Sequence, residues 1–166
     1  MDQNPNCTAA ELEQVMRIYG TTVYRLAYAQ LRSTADAEDV YQEVFLRYFR
    51  KRPQFDSEEH RKAWLLRVTL NRARSFLSSA WRRHTVPLES QISFPEPESR
   101  QLDEALARLR PGDRSLLHLF YFEELSVREM AQLLNRKEST VRTQLTRARN
   151  ALKTIVKGED YYERRI

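Results

Sequence analysis

One cysteine, three histidines and three glycines in 166 residues leave most kinds of chemistry without raw material. Cys7 alone can form no intrachain disulfide and no Cys-rich metal site. His60, His84 and His118 are scattered without ligand spacing, so each reads as structural or solvent-facing, and no metal or other cofactor is expected. The few glycines form no phosphate-cradling loop. There is also no nucleophile elbow and no pattern of paired carboxylates for an apolar pocket, so the chain does not read as an enzyme. No stretch approaches the apolar length of a membrane span, and the opening MDQNPNCTAAELEQ is too polar and acidic for a signal peptide. A cytoplasmic protein without membrane insertion is expected.

Period-two alternation is missing at any useful length, while long helix-forming runs are present, which predicts an all-α chain. Lys and Arg number 28 against 23 Asp and Glu, a net charge of +5. That excess favours a polyanion such as DNA, RNA or an anionic membrane surface, and composition does not choose among them.

The most informative stretch runs from Leu125 to Val156. Ser126 and Glu129 form a capping-box signature, with Val127, Met130, Ala131, Leu133 and Leu134 at helical spacing behind it. Asn135 to Glu138 suit a turn, and the Ser139 hydroxyl can cap a second helix over residues 139–157. On that helix Val141, Leu145, Ala148, Leu152 and Ile155 share one stripe, with Ser139, Thr143, Thr146, Arg147, Asn150 and Lys153 opposite. Seven Lys or Arg against one Glu lie between Arg136 and Lys157. The pattern is that of a helix-turn-helix whose second helix donates to phosphates and base edges. An ordinary helical hairpin with a solvated basic face is the alternative.

Earlier in the chain, Thr8 and Glu11 signal a helix ending at Gly20, and Thr21 or Thr22 restarts another to about Arg32. From Ser33 to Arg50 a third helix buries Ala37, Val40, Tyr41, Val44 and Tyr48. A second face of it carries Asp39, Gln42, Glu43 and Leu46. Four acids and no base lie between Asp36 and Leu46. Such a face suits docking to a basic protein, or the acids simply complement the helix dipole. Pro53 breaks the pattern. Ser57 or Glu58 then opens a long helix to about Arg82 with Leu65, Leu66, Thr69, Leu70, Ala73, Phe76 and Leu77 inward. Opposite them run Trp64, Val68, Asn71, Ser75, Ser78 and Arg82, flanked by Arg67 and Arg74. Aromatic faces among guanidinium groups can hold unpaired bases, although Trp64 by itself can equally cover the core edge.

Residues 83–99, with prolines at 87, 95 and 97, read as a flexible linker whose Ile92 and Phe94 either lie in a partner's groove or pack loosely. A helix resumes from Gln101 to Leu109. Pro111-Gly112-Asp113 reads as a turn signal, and Asp113 is expected to cap a further helix carrying Leu116, Leu117, Leu119, Phe120 and Phe122. Tyr161, Tyr162 and Arg164 to Ile166 read as a frayed tail.

The order DAEDVYQEVFLRYF at 36–49, AWLLRVTLNRARSFL at 63–77, a proline-bearing linker, then the helix-turn-helix, closely resembles the extracytoplasmic-function group of bacterial RNA polymerase sigma factors. The resemblance implies two small helical domains, sigma region 2 (1–82) and sigma region 4 (100–166), joined by the linker. It implies docking on the β′ clamp helices of core RNA polymerase through Asp39, Gln42, Glu43 and Leu46, and on the β flap through region 4. Capture of flipped minus-ten bases falls to Trp64, Arg67, Asn71, Arg74 and Ser75. Reading of the minus-thirty-five element of promoter DNA falls to Ser139, Thr140, Arg142, Thr143, Thr146 and Arg147. An anti-sigma factor, in some cases membrane-bound, is the usual regulatory partner. Where the family often has Gly-Thr-Val and Ser-Arg-Leu, this chain has Ser139-Thr140-Val141 and Thr143-Gln144-Leu145, so the resemblance supplies no promoter sequence. A stand-alone regulator with a sensing N-terminal domain, and an anti-sigma or adaptor protein, are the rival readings.

Overall fold

The computed structural model describes the backbone of residues 8–83 and 97–158 and the side chains of 8–79 and 100–158. Cys7, His84, the Arg82 side chain, Ile92, Phe94 and the tail from Tyr161 to Ile166 lie outside the described residues. Seven helices and no strand occur among those described, in two compact units, Met1–Glu89 and Ser90–Ile166.

The first unit holds α1 (Ala9–Leu31), α2 (Thr34–Lys51) and α3 (Glu58–Arg83), each packed on the other two. Thr8 Oγ1 accepts from the Glu11 amide at 3.3 Å and Glu11 Oε2 accepts from the Thr8 amide at 3.0 Å, which closes the expected capping box. The expected break at Gly20 does not occur: α1 runs straight through it. A glycine inside a helix costs about 1 kcal/mol relative to alanine. Here α1 buries Val15, Tyr19, Val23, Leu26, Ala27 and Leu31, and each large apolar side chain contributes roughly 1.5–3 kcal/mol. Burial outweighs the glycine penalty, and the missing Cβ leaves room for the Tyr41 side chain of α2, since one at Gly20 would sit 3.1 Å from Tyr41 Oη.

Ser33 Oγ accepts from the Asp36 amide at 3.2 Å to start α2, and Asp36 in the first turn with Arg50 and Lys51 in the last complement its dipole. Its inward face is Ala37, Val40, Val44, Phe45 and Tyr48. Phe45 joins the expected stripe, while Tyr41 is only half-buried, against Phe45 at 4.8 Å between ring centroids. Both helices end on an arginine in the left-handed region, Arg32 at φ 54° and Arg52 at φ 46°. The Ser57 hydroxyl accepts from the His60 amide at 3.1 Å where α3 begins. Tyr19 Oη donates to Glu58 Oε2 at 2.7 Å, tying that first turn to α1. Burial, reinforced by this bond and the Glu58 charge, pushes the Tyr19 phenol up to about 12.

The second unit is built around α7 (Glu138–Val156), which packs on α4 (Pro97–Arg108), α5 (Pro111–Tyr121) and α6 (Val127–Leu134). Four boundaries differ from expectation or sharpen it. Helix α4 starts at Pro97, inside the stretch read as linker, with proline in the first helical position where its missing N–H costs nothing. Helix α5 starts at Pro111 for the same reason, so Asp113 sits in its first turn and not at the cap. The capping box of α6 forms, with Ser126 N to Glu129 Oε2 at 2.7 Å and Glu129 N to Ser126 Oγ at 3.1 Å, and Asn135 ends it in the left-handed region. Helix α7 begins one residue early at Glu138, and its cap position, Lys137, supplies no side-chain acceptor.

Arg114 was not singled out by periodicity, yet it is buried and holds α4 to α5. Its Nη1 donates to the carbonyls of Leu106 and Ala107 at 3.3 Å each, and to that of Leu109. The last turn of α4 leaves carbonyls without helical partners, and a cation there also meets the negative end of the dipole.

Candidate nucleic-acid interface

In the first unit two open faces lie on adjacent helices. Asp39, Gln42, Glu43 and Leu46 are all exposed on α2, with Leu46 47% exposed although apolar. They fall within about 100° of arc on a helical wheel, away from the buried stripe. Glu43 is committed in part: its Oε2 accepts from Arg72 Nε of α3 at 2.7 Å. Glu43 is exposed and Arg72 partly so, and the pair is therefore worth about 0–1 kcal/mol and matters more for setting the carboxylate's position than for stability.

On α3, Arg67, Asn71, Arg74, Ser75 and Ser78 are exposed and span a similar arc. The Ser78 hydroxyl donates to the Arg74 carbonyl at 3.2 Å. Two residues expected on this open stripe are not in the open. Val68 is buried, and Trp64 is half-buried, edge-on to Tyr48 at 5.7 Å and to Phe55 at 6.1 Å. The polar stripe therefore starts at Arg67, and Trp64 closes its lower edge against the core.

Phe55, which sequence reasoning passed over, is the centre of that closure. Its ring stacks on Tyr48 at 6.1 Å, meets His60 edge-on at 5.3 Å, and lies under the Arg61 guanidinium at 5.5 Å. Stacked and edge-on ring pairs are each worth about 0.5–1.5 kcal/mol beyond burial. They hold the turn between α2 and α3 at the end of the open face. The signal in the sequence was an aromatic residue in a proline-broken turn, which no helical period picks out.

In the second unit Ser139, Thr140, Arg142, Thr143, Thr146 and Arg147 are all exposed on α7, opposite the buried Val141, Leu145, Ala148, Ala151 and Ile155. Arg142 reaches back to Glu138 at 3.4 Å, Thr143 Oγ1 donates to the Ser139 carbonyl at 3.0 Å, and Arg136 Nη1 donates to Gln144 Oε1 at 2.7 Å. The last bond fixes the turn before α7 to its second turn. A helix carrying hydroxyls and guanidinium groups on one face, braced behind by α6, has the shape and donors to enter a DNA major groove. Among the described residues no group of three or more His, Cys, Asp or Glu could hold a metal ion, and no helix is long and apolar enough to cross a membrane.

The sigma-70 region 2 profile matches residues 15–83, and the sigma-70 region 4 profile matches residues 99–152. The chain belongs to the sigma-70 family. Within it, the curated relatives place the chain in the extracytoplasmic-function group. The ECF RNA polymerase sigma factor SigE of Mycolicibacterium smegmatis is 31% identical over 157 residues, covering 85% of this chain and 60% of that protein. SigW of Bacillus subtilis is 26% identical over 161 residues, covering 84% of this chain and 85% of that protein. This sigma-70 chain thus spans less than two thirds of SigE but most of SigW. Its fold is shared with the sigma factor RpoE of Bartonella quintana, solved in complex with the anti-sigma factor NepR: TM-score 0.75, 21% identity, 89% of this chain and 97% of that one. CnrH, solved with the cytosolic domain of CnrY, gives a TM-score of 0.68 at 22% identity, covering 92% of each chain.

Proposed function

We propose that this chain binds core RNA polymerase as a sigma factor, directs it to promoter DNA, helps open the duplex, and is held in check by an anti-sigma factor. The observation that carries this reading is the pairing of two family segments, in order, with an open polar face in each of two separate units. The protein works in the cytoplasm and by binding; the polymerase supplies the phosphoryl-transfer chemistry.

In this reading the α2 face of Asp39, Gln42, Glu43 and Leu46 docks on the β′ clamp helices, with Leu46 as an apolar anchor among carboxylates that meet basic residues. The second unit engages the β flap. Asn71 hydrogen-bonds the edge of an unpaired minus-ten base, Ser75 stands beside it, and Arg67 and Arg74 neutralise the adjoining phosphates. Trp64 offers at most one edge to a base and otherwise positions the turn. Ser139, Thr140, Arg142, Thr143, Thr146 and Arg147 read the minus-thirty-five element from the major groove. Opening becomes favourable because each captured base recovers on the order of 1–3 kcal/mol of stacking. Anti-sigma control is supported by relatives whose structures were solved with NepR and with the cytosolic domain of CnrY.

Titration of core polymerase with the labelled chain tests the docking face. Leu46→Asp is expected to weaken complex formation by about tenfold or more, because a carboxylate would replace a central apolar anchor. Unchanged affinity would remove the α2 face from the interface.

A further inference from the structure

Arg149 of α7 is held by two aromatic rings and one hydrogen bond. Its guanidinium carbon lies 4.8 Å from the centroid of the Phe120 ring and 5.6 Å from that of Tyr121, two rings of α5 set edge-to-face at 5.0 Å. Its Nε donates to Tyr121 Oη at 2.9 Å. Three contacts fix the plane of the group, yet both terminal nitrogens have no partner among the described residues, and Arg149 and Tyr121 are exposed. A side chain this long normally surrenders considerable rotamer freedom when it binds. Here most of that freedom is already spent on aromatic packing, and the fork that grips an oxyanion is left open.

The position of the fork indicates the anion. Arg149 lies two turns beyond Arg142, about 10 Å along the axis and within about 20° of it on the wheel. Arg142 stands at one edge of the open face and Arg149 lies further round, about 120° from Thr143 on the wheel, so it flanks that face and does not point into its centre. A guanidinium at the flank of a helix that enters a groove meets the DNA backbone before it meets a base edge.

We infer that Arg149 is a preorganised clamp for a backbone phosphate of the upstream promoter duplex, with Phe120 and Tyr121 as its positioning residues. The inference rests on the sigma reading above and adds a contact that carries no sequence information. It anchors α7 while Thr143 and its neighbours read bases.

The test uses holoenzyme assembled from the full chain and core polymerase. The probe is a duplex enriched by that holoenzyme from a randomised pool, and affinity is followed from about 50 to about 200 mM salt. Each phosphate contact contributes about 0.9 to the slope of log affinity against log salt. Arg149→Ala is expected to reduce the slope by about 1 and to weaken the enriched duplex and its base-substituted versions by the same factor. Arg149→Lys should keep the slope and lose affinity, because the charge remains and the stacked fork does not. Tyr121→Phe should lose affinity about twofold to threefold at unchanged slope, the ring being kept and the bond to Nε lost. A purely structural brace between α5 and α7 would move none of the slopes. An Arg149→Ala slope equal to that of the unsubstituted chain overturns this inference alone. Failure of the holoenzyme to enrich any duplex overturns the sigma reading and this inference with it.

Discussion

Asn71 is the residue on which the base-capturing role proposed for the first unit depends. It is exposed on α3, one turn beyond Arg67 and just short of Arg74, so an amide edge stands between two guanidinium groups that suit phosphates. Asn71→Ala is expected to leave core-polymerase affinity intact and to lower open-complex formation by roughly tenfold, the value of about one hydrogen bond with its desolvation. Permanganate reactivity of unpaired thymines checks it, and normal opening by the variant would take Asn71 out of the role. Exposed residues such as Asn71, Arg142 and Thr143 were legible in the sequence because helical periodicity alone separates an outward face from an inward one. Phe55 was not, and for Trp64 the sequence left the open stripe and the core edge as equal alternatives. Their neighbours Tyr48 and His60 come from different helices, and a wheel drawn for one helix says nothing of rings arriving from another. Arg114 and Arg149 were missed for the same reason: a basic residue on a helix looks solvated until the carbonyls or rings that hold it are known.

At the scale of elements, packing decided where local signals pointed elsewhere. Gly20 reads as a helix end because glycine so often follows one, but α1 continues through it to close against Tyr41 of α2. Gly20→Val is expected to lower the stability of the chain by about 1–3 kcal/mol in denaturant titration, as an overpacked helix crossing does. Unaltered stability would mean that the close approach is not what keeps the glycine. Capping boxes were the most dependable local signals, since the Thr8–Glu11 and Ser126–Glu129 pairs form with bonds in both directions. Single-residue cap signals were weaker. At Asp113 a proline two residues earlier takes the first helical position, and at Ser139 the helix has already begun at Glu138. Those shifts leave the exposed face of α7 where periodicity put it.

At the scale of the whole molecule, the proposed function divides the work of a sigma factor between the two units. The first offers an acidic, apolar-centred face beside the open polar face of α3, on neighbouring helices joined by the Glu43–Arg72 pair. The second offers the polar face of α7, a helix packed on its three companions. The measurement that tests this division most directly is transcription by core polymerase from a library of randomised promoters, with and without the chain. Transcripts from a common upstream motif should appear only when the chain and core enzyme are both present, while the chain alone binds duplexes weakly. Tight sequence-specific duplex binding by the chain alone, with no promoter-directed transcripts when core enzyme is added, would contradict the sigma reading and favour a stand-alone regulator.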